Sequence, residues 1–250
     1  MPTNSGFFNE DEILASLEGK RVKDLTNNMR RLLQALFGVL DGDEIVHARK
    51  TEDFVKPDLI ITYKGKERFL SIKFGRAEAV HEEIVENFVD YLGSLGISKE
   101  TRDTILLYHF GDGTTDGSGD YRIEYNALRV KLDGALERAN IELNRNKEIV
   151  RKILDRCLWD GSKNSPVKAD SIYHGDAEYG LVVTRRQIDR YLEVKNWNWM
   201  KNLHIGPLQL RPHARYVGKV IRSEKRRHAL ICYWANFVPD LNYIAKNYNY

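Results

Sequence analysis

The stretch KPDLIITYKGKERFLSIK, residues 56–73, contains the pattern on which the fold prediction depends. Two strand-like segments, residues 59–63 and 67–73, lie on either side of the turn Lys64-Gly65. This arrangement is typical of two antiparallel strands joined by a tight turn. Apolar side chains alternate onto both faces of the segments, as expected for central strands that are covered on both sides. The stretch therefore predicts a hairpin inside a sheet.

The length of the turn decides which side chains of this hairpin meet. If Lys64-Gly65 is a two-residue turn, Asp58 lies opposite Ser71, with Cβ atoms about 5 Å apart on one face. Lys73 is two residues further along and projects from that same face. A three-residue turn would instead pair Asp58 with Ile72 and place Lys73 on the other face. The two-residue turn predicts that a carboxylate and an ammonium group converge at one end of the hairpin.

Apolar periodicity predicts the elements around the hairpin. The expected order over residues 1–110 is helix-strand-strand-strand-helix-strand, which is an α/β core built on a mixed sheet. The elements outside the hairpin are a helix over 22–40, a short strand over 44–48, a helix over 79–92 and a buried strand over 104–110.

Residues 111–250 are predicted to form a C-terminal α+β extension. Thr184 and Gln187 form a capping-box pattern, which predicts the start of a helix there. The other expected elements are a Gly- and Asp-rich loop over 111–120, a helix over 125–159, a hairpin from 171–174 and 180–183, and strands at 208–210 and 228–234.

The net charge is only +3, but basic residues are concentrated in the last third of the chain. Such a region is typical of phosphate binding, although a plain solvated surface is the alternative interpretation. Arg185 and Arg186 fall in the first turn of a helix, where positive charge opposes the helix dipole unless an anion compensates it. The candidate DNA contacts are Arg185, Arg186, Arg211, Arg215, Lys225, Arg226 and Arg227.

The sequence carries no signal of secretion or of membrane insertion. Residues 1–12 combine neither the basic start nor the apolar run of a signal peptide, and no stretch approaches about 18 apolar residues. Cys157 and Cys232 lie inside apolar periodic segments without metal-ligand spacing, so buried thiols are expected. A cytoplasmic protein without a membrane partner is therefore expected.

The motifs of the hairpin permit a comparison with a known family. Pro57-Asp58, a hairpin and then Ser71-Ile72-Lys73, within the order of elements given above, resemble the PD-(D/E)xK nucleases, which are restriction-endonuclease-like. The resemblance covers residues 22–110. It implies that Asp58 binds Mg²⁺ and that Lys73 positions or polarises the attacking water. The implied substrate is double-stranded DNA.

Ser71 departs from this family pattern, because it stands where a second acid is expected and serine is a poor Mg²⁺ ligand. A subgroup of restriction enzymes also has Ser-x-Lys and supplies the missing carboxylate from the following helix. The resemblance therefore implies Glu83, with Glu82 next, as the second metal ligand at the start of the helix over 79–92. Acids there also complement the helix dipole, and Glu44 or an acid near the N-terminus stays open as a further ligand.

The size of the extension favours a site-specific type II restriction endonuclease over a small junction resolvase. Such an enzyme is expected to be a homodimer, because it must cut both strands. One alternative is a structure-selective or repair nuclease. The other is a DNA-binding module whose nuclease site has decayed, for which Ser71 is the argument.

Overall fold

The structure is a computed structural model that describes residues 5–51, 55–75, 79–161, 167–197, 202–213, 218–219 and 227–248. The helices are α1 (Ser5–Leu17), α2 (Asn27–Phe37), α3 (Val85–Ser94), α4 (Lys99–Phe110), α5 (Tyr125–Lys131), α6 (Asp133–Asn144), α7 (Lys147–Asp155), α8 (Arg185–Val194) and α9 (Phe237–Asn247). The strands are β1 (His47–Lys50), β2 (Leu59–Tyr63), β3 (Lys66–Lys73), β4 (Ala79–Ile84), β5 (Tyr121–Arg122), β6 (Ser171–Gly175), β7 (Gly180–Thr184), β8 (His204–Ile205), β9 (Leu208–Pro212), β10 (Gly218–Lys219) and β11 (Ala229–Trp234).

The chain divides into two compact units. The first contains Met1–Ala77, Leu158–Val194 and Asn236–Tyr250, and the second contains Glu78–Cys157 and Lys195–Ala235. The sequence places a boundary near residue 110, whereas each unit combines segments from both halves of the chain. Among the helices described, none is long and apolar enough to cross a membrane.

The first unit is built on a five-stranded sheet in the order β1-β2-β3-β6-β7. All neighbouring strands are antiparallel except β3 and β6, which are parallel. The strand beyond the hairpin was predicted at residues 104–110, and this prediction is wrong. The strand that pairs with β3 is β6. Because β6 lies far along the chain from β3, the local sequence does not predict this pairing.

The central hairpin has the two-residue turn. Lys64 and Gly65 have φ angles of +48° and +71°, and a type I′ turn requires positive φ at both positions. Tyr63 consequently pairs with Lys66, and this prediction is confirmed. The last pair of the ladder is Leu59 with Leu70, directly before Asp58.

Helices α1 and α2 cover one face of this sheet. Buried side chains such as Ile13 and Leu33 pack there against Ile61 and Ile72. The predicted helix over 22–40 is shorter than expected, because Thr26 caps α2 by accepting a bond from the Met29 N–H at 3.2 Å. A 3-10 turn precedes the cap, and Gly38 ends the helix.

The second unit contains a four-stranded antiparallel sheet in the order β4-β11-β9-β8, together with α3 to α7. The helix predicted over 79–92 is wrong in its first half, because that half is strand β4, paired with β11. Residues 104–110 belong to α4, whose N-cap Ser98 accepts a bond from the Thr101 N–H at 3.2 Å. A short apolar run does not by itself distinguish a buried strand from a buried helix.

Other predictions for the C-terminal half are confirmed in outline. Strands β6 and β7 form the expected hairpin. The capping box is present, since the Thr184 N–H donates to Gln187 Oε1 at 2.9 Å and the Gln187 N–H donates to Thr184 Oγ1 at 3.4 Å. The helix predicted over 125–159 is divided into α5, α6 and α7. Cys157 and Cys232 are both fully buried.

Candidate functional site

Asp58 directly precedes β2 and contacts the last residues of β3. Its Oδ2 accepts a bond from the Ile72 N–H at 2.5 Å and one from the buried Ser71 hydroxyl at 3.3 Å. Within the described part of the chain, Oδ1 has no hydrogen-bond donor. Ser71, which occupies the position of the family's second acid, thus holds the carboxylate of Asp58 in place.

Lys73 ends β3 two residues beyond Ser71, so strand alternation places the two side chains on the same face. Lys73 is half-buried. Among the residues that the structure describes, its ammonium group makes neither a hydrogen bond nor an ion pair. Lys73 thus adds a positive charge at this end of the hairpin.

Glu10 of α1 is a third charged group at this end of the sheet. Burial and then the negative charge of Asp58 raise the pKa of its carboxyl group, whereas Lys50 and Lys73 act to lower it. Lys50 Nζ lies 3.7 Å from Glu10 Oε2 and 2.8 Å from Asp11 Oδ1. Glu10 therefore contacts Lys50, which pairs with Leu59, the residue after Asp58, and the charges of Asp58 and Lys73 both act on its carboxyl group.

The sequence allowed for an N-terminal acid without identifying it. A usable signal was present, since Ile13 and Leu17 recur at four-residue spacing and are both fully buried. Glu10 lies one helical turn before Ile13 on that stripe. Glu44, the other acid that was left open, lines a surface cavity together with Lys64 and Gly65. That places Glu44 at the turn end of the hairpin.

Glu83 is part of the second unit and lies on β4, so its predicted position at the start of a helix is wrong. Its side chain is 1% exposed and accepts bonds from Arg156 Nε at 3.0 Å and Nη2 at 2.6 Å. His81 Nε2 lies 2.9 Å from Oε1. Burial raises the pKa of the Glu83 carboxyl, but the bonds from His81 and Arg156 bring it below its ordinary value. Glu82, in contrast, is exposed.

Two of the predicted DNA contacts line a cavity in the first unit. Arg185 and Arg186 begin α8 and border a surface cavity of about 610 Å³ together with Arg68. Arg68 donates to the Leu36 carbonyl at 3.0 Å and lies 3.9 Å from Asp170. Arg68 and Arg186 are both exposed, whereas Arg185 is half-buried, and the Arg68 guanidinium already contacts the Leu36 carbonyl and Asp170.

The other predicted contacts that the structure describes lie in the second unit. The Arg211 guanidinium stacks over the Tyr233 ring, 4.9 Å from its centroid. Arg227 pairs with Asp112 at 3.2 Å and donates to the Gly119 carbonyl at 3.0 Å, so its charge is compensated inside the protein. The predicted contacts Arg215, Lys225 and Arg226 lie outside the described residues.

The mixed sheet, with Asp58 and Lys73 at one end of its central hairpin, has a restriction-endonuclease-like fold. Among solved structures, the chain is similar to the restriction endonuclease MspI, crystallised in complex with its cognate DNA. The TM-score is 0.50 and the sequence identity is 19%, over 91% of this chain and 88% of that chain. No protein-family model matches the sequence, and no curated protein matches it either. At this level of identity the likeness shows the fold.

Proposed function

We propose that this protein is a Mg²⁺-dependent endonuclease that hydrolyses phosphodiester bonds of double-stranded DNA. The observation that carries the proposal is that Asp58 bonds to the last residues of β3 directly before Lys73, with Glu10 near enough for both charges to act on its carboxyl group. In a restriction-endonuclease-like fold, two carboxylates beside a lysine are the groups that metal-assisted phosphodiester hydrolysis requires.

The donor set suits Mg²⁺. This ion commonly takes one or two carboxylates and completes its shell with waters and substrate phosphate. No group of three or more His, Cys, Asp or Glu side chains suited to a metal occurs in the described ranges. The proposed site therefore relies on two carboxylates, those of Asp58 and Glu10, with water and phosphate oxygens as the other ligands. Burial raises the pKa of the Glu10 carboxyl most, and the negative charge of Asp58 raises it further; a divalent cation beside both carboxylates would offset the second of these effects.

Each residue then has a defined task. The Ser71 hydroxyl and the Ile72 N–H hold Oδ2 of Asp58 and leave Oδ1 for the cation. Glu10 supplies the second carboxylate, in the place first assigned to Glu83. Bound Mg²⁺ would neutralise charge on the scissile phosphate and promote ionisation of a water. The Lys73 ammonium adds positive charge where the transition state becomes more negative.

The finer proposal is a site-specific type II restriction endonuclease that acts as a homodimer. Arg186, an exposed arginine in the first turn of α8, is the candidate for a phosphate contact. This step rests on analogy with MspI, which was crystallised with its cognate DNA. A DNA-binding module without cleavage activity is the competing function, and it is favoured by the serine in the acid position.

The test is plasmid digestion in Mg²⁺ against EDTA with matched pairs of variants. Glu10→Gln is compared with Glu12→Gln, because Glu12 is an exposed acid on the same helix. Lys73→Met is compared with Lys66→Met, because Lys66 is exposed at the opposite end of β3. We expect Asp58→Asn, Glu10→Gln and Lys73→Met each to lower the cleavage rate by about 100-fold or more.

The pattern of products and losses separates the possible functions. Discrete fragments would indicate a site-specific enzyme, and a smear would indicate a repair or structure-selective nuclease. DNA binding without cleavage at any Mg²⁺ concentration would indicate that the protein is a DNA-binding module and not a nuclease. Full activity of Asp58→Asn would refute the proposed site, and equal losses in Glu10→Gln and Glu12→Gln would remove Glu10 from it.

A further inference from the structure

His174 on β6 is the direct partner of Lys73 in the parallel pair of β3 and β6. Residues paired in this way project from the same face of a sheet. Since β3 lies between β2 and β6, Asp58 lies on one side of Lys73 and His174 on the other. The Lys73 side chain is therefore bordered by a carboxylate and by an imidazole ring.

The imidazole of His174 is tied to the chain that follows Lys73. Its Nε2 lies 2.8 Å from the Gly75 carbonyl oxygen. A carbonyl oxygen can only accept, so Nε2 carries the hydrogen of this bond. Gly75 has a φ of +73° and ends the extended course of β3. The same ring meets Phe237 of α9 edge to face, with centroids 6.0 Å apart, which limits the freedom of the imidazole.

These contacts assign His174 a task that no family motif includes. We infer that His174 is a positioning residue of the proposed nuclease site. Its bond to Gly75 holds the end of β3 against β6, and its ring confines the Lys73 side chain on the side away from Asp58. Lys73 is thereby directed toward the acidic pair. This inference rests on the proposed function and adds a residue to it.

The kinetic test separates positioning from binding. His174→Ala removes both the bond and the ring, and we expect kcat for DNA cleavage to fall about 10- to 100-fold, because a displacement of about 1 Å has this effect. The Kd for DNA should stay unchanged. His174→Gln keeps a donor near the Nε2 position and should recover most of the rate. His47→Ala, at an exposed histidine on β1 of the same sheet, should cleave like the wild type.

A second readout does not depend on cleavage. Two-bond ¹H–¹⁵N correlation spectra identify the protonated ring nitrogen, and we expect the Nε2–H tautomer for His174. The Nδ1–H tautomer would overturn the inference even in an active protein. Wild-type kcat in His174→Ala would overturn it while leaving the proposed function intact. Equal rate losses in His174→Ala and His174→Gln, together with lower stability of both, would leave only a structural role. An inactive wild type would overturn both proposals.

Discussion

The buried ion pair between Glu83 and Arg156 predicts a large loss of stability when only one partner is removed. Their side chains are 1% and 13% exposed, and the Arg156 guanidinium also lies 4.5 Å from the centroid of the Tyr91 ring. Arg156→Leu leaves the carboxylate buried without its arginine partner, although His81 stays beside it. We expect the free energy of unfolding to fall by about 3–5 kcal/mol, because the buried charge is then incompletely compensated.

Urea denaturation at neutral pH measures this loss. The double variant Glu83→Leu/Arg156→Leu removes both charges of the pair, so neither stays buried without its partner. It should recover most of the stability that Arg156→Leu loses. A loss below about 1 kcal/mol for Arg156→Leu would refute the reasoning, because a pair this deeply buried should cost more to break.

The same assay locates the second metal ligand. Mg²⁺ stabilises the folded state that binds it, so this stabilisation should persist in Glu83→Gln and be weakened in Glu10→Gln. The reverse result would return Glu83 to the metal site.

Three further outcomes are expected. Burial lowers the pKa of His109 to about 4, so between pH 6.5 and 4 the unfolded state binds more protons than the folded state. Up to about 3 kcal/mol of stability is therefore lost as pH falls through this range. His109→Gln should flatten this part of a plot of urea midpoint against pH, and an unchanged slope would contradict the role of His109. Gly65→Ala places a side chain at a φ of +71° and should lower stability by about 1 kcal/mol in thermal unfolding; no loss at all would contradict the type I′ turn. Arg186→Ala should weaken DNA binding measured by fluorescence anisotropy. The slope of the logarithm of the binding constant against the logarithm of the salt concentration should fall in magnitude by about 1, and an unaltered slope would exclude a phosphate contact of Arg186.

The hairpin and the position of Asp58 beside β3 could be predicted because they depend on neighbouring residues. A two-residue turn between two strand-like segments leaves one register, and that register aligns Asp58 with the last residues of β3. The capping box could be predicted for the same reason, because Thr184 and Gln187 are three residues apart. Patterns whose interacting residues lie within about twenty positions of one another could therefore be interpreted without knowing the rest of the fold.

The errors arose where a distant segment decides the structure. Residues 79–84 carry an apolar spacing compatible with a helix, but pairing with β11 makes them a strand, on which His81 and Glu83 alternate inward toward Arg156. Residues 104–110 could form either a buried strand or a buried helix. In the structure they belong to α4, and the strand that pairs with β3 is β6.

The same distinction applies to the second acid, which the sequence analysis expected in the segment that follows the hairpin. Ser71 was interpreted as a missing metal ligand, so a replacement carboxylate was expected close by in sequence. Its buried hydroxyl instead donates to Asp58, and a carboxylate in that position would place a second negative charge directly against the first. An acid on a helix outside the hairpin, as Glu10 is, can approach Asp58 from another direction without displacing the bonds that hold it. A serine in the acid position is thus compatible with an intact site, provided that the second carboxylate comes from an element that the hairpin sequence does not contain.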